Sequence, residues 1–371
     1  AMLYTSGTTG RPKGCILSNL YFIEAGTCYT GLPDTAKMFP DSERVFNPLP
    51  LFHMNALAVT ATGMMVIGGC LITPDRFHPG SWWQDLAETR ATIFHYLGVV
   101  PPMLLNAPAS ENDKNHNVRF GFGAGVDPKH HAVFEERFGL SLTECWGMTE
   151  TGRIFGDVEE PRKVGTRAFG KPTAELQARV VDENDNDVPP GTDGQMILRH
   201  SAENPRLGFF SAYYKDDAAT EEAWKGGWFH TGDTVRMDES GMMYFVDRSK
   251  NIIRRAGENI AAAEIEATLQ SHELVAQAAV LAAPDELREE EVYACIVAMP
   301  GTTTGEDLAE DLFEYCRERL SYFKAPGYVL FLNKLPTTGT QKIQKGQIFA
   351  PDTDITTLPD VFDFRARKKR L

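Results

Sequence analysis

The chain has 371 residues, of which 42% are hydrophobic and 24% are charged, a balance typical of a soluble protein with room for two or three cores. Its formal net charge is −14, which argues against nucleic acid as the main partner because phosphate neutralisation requires a basic face. A small anionic ligand held by a few local cations is compatible with this charge. The six cysteines form no close-pair motif, which predicts reduced thiols and a cytoplasmic protein.

Apolar strands alternate with helical stretches over residues 1–173, which predicts a layered α/β domain with a mostly parallel sheet. The first residues, AMLY, read as the end of a buried strand with nothing beside it to pair with. The longest apolar run, residues 57–72, is shorter than the roughly 18–20 residues that span a bilayer. It predicts a core helix followed by a strand and no membrane span. The stretch DPKHHAVFEERFG predicts a helix with Asp127 as its N-cap, Pro128 at its first position and Gly139 at its end.

The pattern changes after residue 173. Residues 174–247 predict a β-rich subdomain, with two strands around the polar turn DENDND. Residues 251–349 predict a compact α+β domain. One helix of this domain is expected to begin with a capping box of Thr304 and Asp307, and to have an apolar face formed by Leu308, Leu312, Cys316 and Leu320. Residues 350–371, which end in RARKKRL, are expected to form a solvated, disordered tail.

Two stretches imitate ligand-binding motifs and are rejected. The turn DENDND resembles the start of an EF-hand loop, but Asp187 stands at the position that requires glycine and Asp193 at the position that requires glutamate. The string GTRAFGK at 165–171 resembles a Walker A loop, but Pro172 replaces the hydroxyl residue that binds magnesium. A polar hairpin turn and an ordinary loop are the better interpretations.

The string YTSGTTGRPKG, residues 4–14, has the composition of an anion-binding loop. Its hydroxyl groups are hydrogen-bond donors, and its glycines let backbone N–H groups converge on a phosphate. Arg11 and Lys13 add positive charge. Composition alone leaves a flexible surface turn as an alternative.

The whole string resembles the phosphate-binding signature of the adenylate-forming superfamily, which includes acyl-CoA synthetases, peptide-synthetase adenylation domains and firefly-type luciferases. Similar motifs follow in the order of that family: GFGAG, ECWGMTET, GWFHTGD, YFVDRSKNIIRRAGENIAAAEIE and LPTTGTQKIQKG. The resemblance implies a large ATP- and acyl-binding domain, a hinge at 248–250 and a small mobile C-terminal domain. In this family a long segment precedes the phosphate loop, so we expect the sequence to begin inside the large domain.

The resemblance also implies roles for individual residues in binding ATP. The residues expected to bind the β- and γ-phosphates are Thr5, Ser6, Gly7, Thr8, Thr9, Gly10 and Lys13. Those expected to contact adenine and the acyl chain are Gly123, Ala124, Gly125, Trp146 and Gly147, with Trp146 stacking on adenine. Thr149 is expected to contact the α-phosphate, Glu150 to hold magnesium, and Asp233 and Arg248 to bind the ribose. Trp146 stands where the family usually has tyrosine, and still offers a stacking face.

Further roles concern the acid, the hinge and coenzyme A. Lys342 aligns with the adenylation lysine of the family, although Gln341 replaces the usual glycine before it. Lys250 aligns with the hinge, while Gly257 and Glu258 belong to the stretch expected to face pantetheine. His53 resembles the gate between acyl pocket and nucleotide, with a buried structural histidine as the alternative. Arg153 is expected to face either substrate or the protein surface.

The implied activity is ATP-dependent formation of an acyl-adenylate, followed by transfer of the acyl group to coenzyme A. The linker segments are most similar to those of bacterial crotonobetaine/carnitine-CoA ligases, but they do not identify the acid, so a short- or medium-chain acyl-CoA synthetase is the safer interpretation. ATP, Mg²⁺ and coenzyme A are the expected cofactors. The sequence leaves open whether the protein forms a homodimer. A nucleotide-binding protein without turnover and an adenylating enzyme with another acceptor remain as alternatives.

Overall fold

The computed structural model describes residues 1–5, 13–248, 251–256, 258–337, 343–350 and 353–368. The chain divides into two compact units, Ala1–Phe245 and Val246–Leu371. In the described parts of the chain, no helix has both the length and the apolar character needed to cross a bilayer.

The strands up to residue 248 are β1 (Met2–Thr5), β2 (Lys13–Ile16), β3 (Arg44–Phe46), β4 (Cys70–Ile72), β5 (Ile93–Leu97), β6 (Phe120–Ala124), β7 (Ser141–Gly147), β8 (Ile154–Gly156), β9 (Ala168–Gly170), β10 (Gln177–Val181), β11 (Asp193–Arg199), β12 (Ala212–Tyr213), β13 (Phe229–Met237) and β14 (Met243–Arg248). The α-helices of the large unit are α1 (Asn19–Thr30), α2 (Thr62–Ile67), α3 (Trp82–Glu88), α4 (Val100–Leu105), α5 (Pro128–Phe138) and α6 (Asp217–Ala223). A π-helix, Asn55–Ala61, leads directly into α2.

The main sheet of the large unit has the order β4-β3-β5-β6-β7-β8 and is parallel except for β8. This confirms the predicted mostly parallel sheet and the α/β class. The apolar run at 57–72 forms the end of the π-helix, α2 and β4, as predicted for a core helix followed by a strand. Because parallel strands end at the same edge, the residues that follow β5, β6 and β7 meet there.

Helix α5 follows its sequence signals closely. The Asp127 side chain accepts the Lys129 N–H at 3.0 Å, so it caps the first turn next to Pro128. Gly139 ends the helix with φ 71°, in the left-handed region that glycine adopts without steric cost. The helix is therefore defined by local chemistry at both ends.

Most strands of the predicted β-rich region join a sheet with the order β10-β11-β13-β14-β9, in which β9 comes from before residue 174, whereas β12 pairs with β2 in another sheet. Strands β10 and β11 are antiparallel around DENDND. One carboxylate oxygen of Asp182 accepts the N–H groups of Asn184 and Asn186 at 2.8 and 2.9 Å. These contacts confirm a polar hairpin turn whose own side chain satisfies its backbone.

The expectation that the first strand has no pairing partner is wrong. Strand β1 forms an antiparallel hairpin with β2, in which Thr5 pairs with Lys13, and β12 pairs with the other edge of β2. Leu3 is buried but Tyr4 is 56% exposed, so β1 is buried on one face only. The chain therefore supplies the partner of β1 itself, namely β2.

The small unit contains β15 (Ile252–Arg255), β16 (Glu258–Ala261), β17 (Val275–Asp285), β18 (Glu289–Ala298), β19 (Tyr328–Phe331) and β20 (Phe362–Asp363), with helices α7 (Ala262–Gln270) and α8 (Glu306–Arg319). The sheet order is β16-β15-β18-β19-β20, and β17 pairs with β18. This is the predicted α+β architecture. Leu308, Leu312 and Cys316 of α8 are buried in one cluster, and Leu320 packs against it, as predicted.

The capping box predicted for α8 is wrong. Gly305 is the N-cap, and no side chain caps the helix. Thr304 lies one position before the cap, where its hydroxyl has the wrong register for the N3 amide. The glutamate and aspartate of the first turn, Glu306 and Asp307, still complement the helix dipole.

The C-terminal segment is also ordered where the sequence predicts a solvated tail. Strand β20 pairs with β19, and the Phe364 ring stacks on Phe313 with centroids 5.0 Å apart. Lys368 is buried and its Nζ donates to Glu291, which also accepts from Arg255 Nε at 2.8 Å. Charge pairing therefore lets part of a basic segment pack into the unit.

Candidate active site

The GFGAG segment forms the end of β6 and lies next to a buried carboxylate, that of Glu144. Glu144, the first residue of ECWGMTET, accepts the N–H groups of Gly125 at 2.7 Å and Val126 at 3.2 Å, and the Tyr96 hydroxyl at 2.6 Å. Burial raises the pKa of Glu144, while these three donors oppose that rise. Glu144 thus fixes the turn from below, a role that the sequence motifs did not indicate.

The glycines of this turn are required by close packing. A Cβ atom at Gly123 would lie 2.3 Å from the Tyr96 carbonyl oxygen. Gly125 has φ +86°, and it is exposed together with Ala124. The turn therefore presents bare backbone at the edge of the sheet, as a surface for a flat ligand requires.

Trp146 and Asp233 meet although 87 residues separate them. The Trp146 indole N–H donates to Asp233 Oδ2 at 2.8 Å, and both residues are buried. One face of the indole packs on Phe155, with ring centroids 5.3 Å apart and planes 26° apart. The predicted adenine-stacking residue is thus hydrogen-bonded to the predicted ribose-binding carboxylate.

The opening hairpin brings a second group of predicted residues together. Thr5 and Lys13 face each other where β1 ends and β2 begins. Lys13 Nζ lies 4.8 Å from the centroid of the Tyr213 ring, and the Tyr213 hydroxyl donates to Glu150 Oε1 at 3.0 Å. Tyr213 was missed at the sequence level, because nothing in SAYYKDD distinguishes it from a packing residue.

Cys15 lies among these groups. Burial raises the pKa of its thiol, the Glu150 charge raises it further, and a hydrogen bond with Thr5 and the charge of Lys13 oppose the rise. The thiol is therefore protonated at neutral pH. A carboxylate, two hydroxyls, a neutral thiol and an ammonium therefore lie near one another.

This set of groups fits a magnesium ion carried by phosphates. Magnesium prefers oxygen ligands and is commonly held by one or two carboxylates together with phosphate oxygens. Glu150 supplies the carboxylate, and the protonated Cys15 does not compete. Among the described residues no three His, Cys, Asp or Glu side chains cluster to hold a metal, so the remaining ligands would come from a nucleotide and water.

Two residues with open interpretations are located clearly. His53 is exposed, its ring lies 4.6 Å from that of Phe52, and partial desolvation lowers its pKa. The alternative of a buried structural histidine is therefore wrong for His53. Arg153 is 1% exposed and pairs with Glu24 at 3.2 Å, so the surface alternative is wrong for Arg153. It also donates to the carbonyls of residues 207 and 208, as a structural arginine does.

The remaining predicted residues differ in what the structure describes. Thr149 lies in the turn after β7, Arg248 ends β14, and Glu258 begins β16 with its side chain exposed. Several predicted residues lie outside the described residues, namely Ser6, Gly7, Thr8, Thr9, Gly10, Lys250, Gly257 and Lys342. Their roles remain predictions.

Family comparison identifies both units. Residues 1–214 match the model of the AMP-binding enzyme family, and residues 264–342 match that of the AMP-binding enzyme C-terminal domain. Together these matches include β1, β2, Glu150 and Tyr213 in the first region, and most of α7 through to β19 in the second.

Individual relatives agree with this assignment. Sulfoacetate–CoA ligase from Cupriavidus necator is 32% identical over 346 residues, which are 93% of this chain and 65% of that protein. Crotonobetaine/carnitine–CoA ligase from Proteus mirabilis is 29% identical over 347 residues, again 93% and 65% of the two chains. The crystal structure of ATP-bound MatB from Rhodopseudomonas palustris superimposes with a TM-score of 0.79 at 26% identity, and covers 93% of this chain and 66% of that one. The chain thus spans about 65% of the length of the curated relatives it matches. From the matched domain models and these relatives, the chain belongs to the AMP-binding enzyme family.

Proposed function

We propose that the chain acts as an AMP-forming acid–CoA ligase, which activates a carboxylate as acyl-AMP and transfers the acyl group to coenzyme A. The single observation that supports this most is the grouping of Lys13, Tyr213 and Glu150 beside the opening hairpin. A cation and a carboxylate in this arrangement suit the polyphosphate of a magnesium nucleotide. The family membership and the named activities of the relatives point the same way.

The nucleotide would bind through groups already described at the sheet edge. Adenine would lie against the GFGAG turn and Trp146, and the ribose hydroxyls would donate to Asp233. The Trp146 N–H holds the Asp233 carboxylate in place, so that carboxylate needs less ordering when the ribose binds. Pre-organisation of this kind favours binding because the entropic cost is met during folding.

In the first half-reaction, a substrate carboxylate oxygen would attack the α-phosphorus of ATP and pyrophosphate would leave. Negative charge is redistributed over phosphoryl oxygens, so catalysis depends on fixed cations and donors near them. Lys13 and the hydroxyls of the opening loop would stabilise the leaving pyrophosphate, and Thr149 would donate to the α-phosphate. Bound magnesium, held by Glu150, would supply further positive charge at the phosphates. Lys342 would contact both the carboxylate and the α-phosphate.

In the second half-reaction, the thiol of coenzyme A would attack the acyl carbon and AMP would leave. The stretch that contains Gly257 and Glu258 would line the path of pantetheine. Lys250 would lie at the hinge about which the small domain rotates between the two half-reactions. Glycine at 257 suits a narrow channel because it has no side chain.

The acid is proposed only by chemical class, as a small or medium-sized carboxylic acid. Two relatives are named for acids of opposite character, because sulfoacetate has a sulfonate and carnitine has a trimethylammonium group. The charge of the distal group is therefore a variable that the experiment must cover. A substrate panel should contain anionic, cationic and neutral acids of matched length.

Pyrophosphate exchange into ATP over this panel tests the first half-reaction, and thioester formation tests the second. Lys342→Ala should reduce exchange by at least about 100-fold while ATP still binds, because the lysine acts on developing charge. Lys334→Ala, at an exposed lysine of the same unit, is the matched control and should leave exchange unchanged. ATP binding without exchange for any acid would favour a nucleotide-binding protein without turnover. Exchange without thioester would favour another acceptor.

A further inference from the structure

Tyr213 occupies a central position between the opening hairpin and the ECWGMTET turn. It lies in β12, where its Cα pairs with that of Cys15 in β2. Its backbone N–H donates to the Thr220 hydroxyl at 2.9 Å, and the residue is 8% exposed. Strand pairing and this hydrogen bond therefore fix the backbone from which the phenol projects.

The phenol contacts two oppositely charged groups at once. Its hydroxyl donates to Glu150 Oε1 at 3.0 Å, and its ring face receives Lys13 Nζ at 4.8 Å from the centroid. A carboxylate oxygen accepts hydrogen bonds, so the Tyr213 hydroxyl is the donor in this contact. An ammonium over an aromatic face is attracted by the ring quadrupole. Thus one neutral side chain restrains both a carboxylate and a cation.

We propose that Tyr213 is a positioning residue for the magnesium–ATP complex, which orients the Glu150 carboxylate through its hydroxyl and Lys13 through its ring. The inference rests on the proposed function. A carboxylate that accepts a hydrogen bond on one oxygen rotates less, so the side chain is already ordered when a hard cation arrives. One contact uses the hydroxyl and the other uses the ring face, so a substitution can remove the first without the second.

Three variants of the full chain separate these contacts. Tyr213→Phe removes the hydroxyl and keeps the aromatic face, whereas Tyr213→Leu removes both. Tyr214→Phe is the matched control, because Tyr214 is adjacent, 48% exposed, and has Lys215 Nζ 5.2 Å from its ring centroid. ATP affinity is measured by calorimetry in EDTA. Metal affinity is measured by electron paramagnetic resonance of Mn²⁺ with saturating ATP, since Mn²⁺ takes the same oxygen ligands as Mg²⁺.

Tyr213→Phe should weaken Mn²⁺ binding about tenfold, the effect of losing one hydrogen bond to a charged group. It should change ATP affinity in EDTA by less than about twofold, because Lys13 keeps its aromatic partner. Tyr213→Leu should weaken both, and Tyr214→Phe neither. Wild-type Mn²⁺ affinity in Tyr213→Phe would overturn the inference. Equal losses in both affinities with a lower unfolding midpoint would also overturn it, because they would indicate a purely structural role.

A double-mutant cycle keeps the test decisive if single variants are destabilised. If Tyr213 acts through Glu150, Tyr213→Phe should have no further effect on Mn²⁺ affinity in a Glu150→Gln background. Additive losses would contradict the proposal. A wild-type chain with no ATP-dependent Mn²⁺ site would refute the proposed function itself, and with it this inference, whereas an intact site with an unaffected Tyr213→Phe refutes the inference alone.

Discussion

Gly98 provides a sharp test of how closely the ends of β5 and β6 approach each other. A Cβ atom at Gly98 would lie 2.0 Å from the carbonyl oxygen of Gly125 and 2.6 Å from its carbonyl carbon. Cβ contacts shorter than 3.0 Å are essentially never observed, so Gly98→Ala must displace the backbone by about 1 Å. Backbone atoms cannot rotate away as a flexible side chain can.

The expected loss of stability has two parts. Overpacking against backbone costs about 3 kcal/mol. Movement of Gly125 would also lengthen its 2.7 Å hydrogen bond to the buried Glu144 carboxylate, which adds about 1 kcal/mol. We therefore expect Gly98→Ala to lower the free energy of unfolding of the large unit by about 4 kcal/mol.

Urea unfolding followed by tryptophan fluorescence measures this quantity. All five tryptophans of the chain lie within the large unit, so the signal excludes the small unit and its separate transition. Gly80→Ala is the matched control, because a Cβ atom at Gly80 would meet nothing within 4 Å. It should change stability by less than about 1 kcal/mol. A Gly98→Ala variant as stable as Gly80→Ala would refute the close approach of the two strand ends.

Three further variants test other contacts. Trp146→Phe keeps a stacking face but removes the N–H donor to buried Asp233, so ATP affinity measured by calorimetry should fall about tenfold. Unchanged affinity would show that the contact between Trp146 and Asp233 has no part in ATP binding. Burial lowers the pKa of Lys368 to about 8, below the roughly 10.4 of an unfolded chain. The unfolded state therefore binds that proton more tightly, so stability of the small unit should rise from pH 8 to about 10.4. Lys368→Met should lack this rise when unfolding of the small unit is followed by scanning calorimetry. The same change of stability with pH in both proteins would contradict the lowered pKa of Lys368. Arg153→Met should destabilise the large unit by about 2 kcal/mol, because the carbonyls of residues 207 and 208 lose a buried donor and the partly exposed Glu24 loses its partner. An unfolding midpoint within error of wild type would show that these contacts contribute nothing.

Features set by neighbouring residues were predicted well from the sequence. Helix α5 begins at an aspartate cap and ends at a left-handed glycine as expected, because both signals act within one helical turn. The DENDND turn was assigned correctly for the same reason. The capping box of α8 was wrong although its residue types were correct, since Thr304 is displaced by one position from the N-cap. Which of two neighbouring residues becomes the N-cap is decided by how the helix packs, and a local sequence pattern does not contain that information.

The contacts that assemble the candidate site were not predictable in this way. Tyr213 and Glu150 are 63 residues apart, and Lys368 and Glu291 are 77 apart. Motif resemblance named Glu150 because that residue belongs to a signature, but it gave no sign of Tyr213, whose role depends on strand β12 pairing with β2. Long-range pairing of this kind follows from the three-dimensional fold and not from composition.

The buried charge cluster in the small unit has a practical consequence for anyone who shortens or labels this protein. Because Lys368 lies against Glu291, deletion up to that residue would leave an acid inside the unit with Arg255 as its described counter-ion. A buried carboxylate that loses a cation either takes up a proton or draws water into the interior. An affinity tag or fluorescent fusion that replaces Lys368 would therefore act as a destabilising mutation, whereas one that leaves Lys368 in place keeps the pair with Glu291.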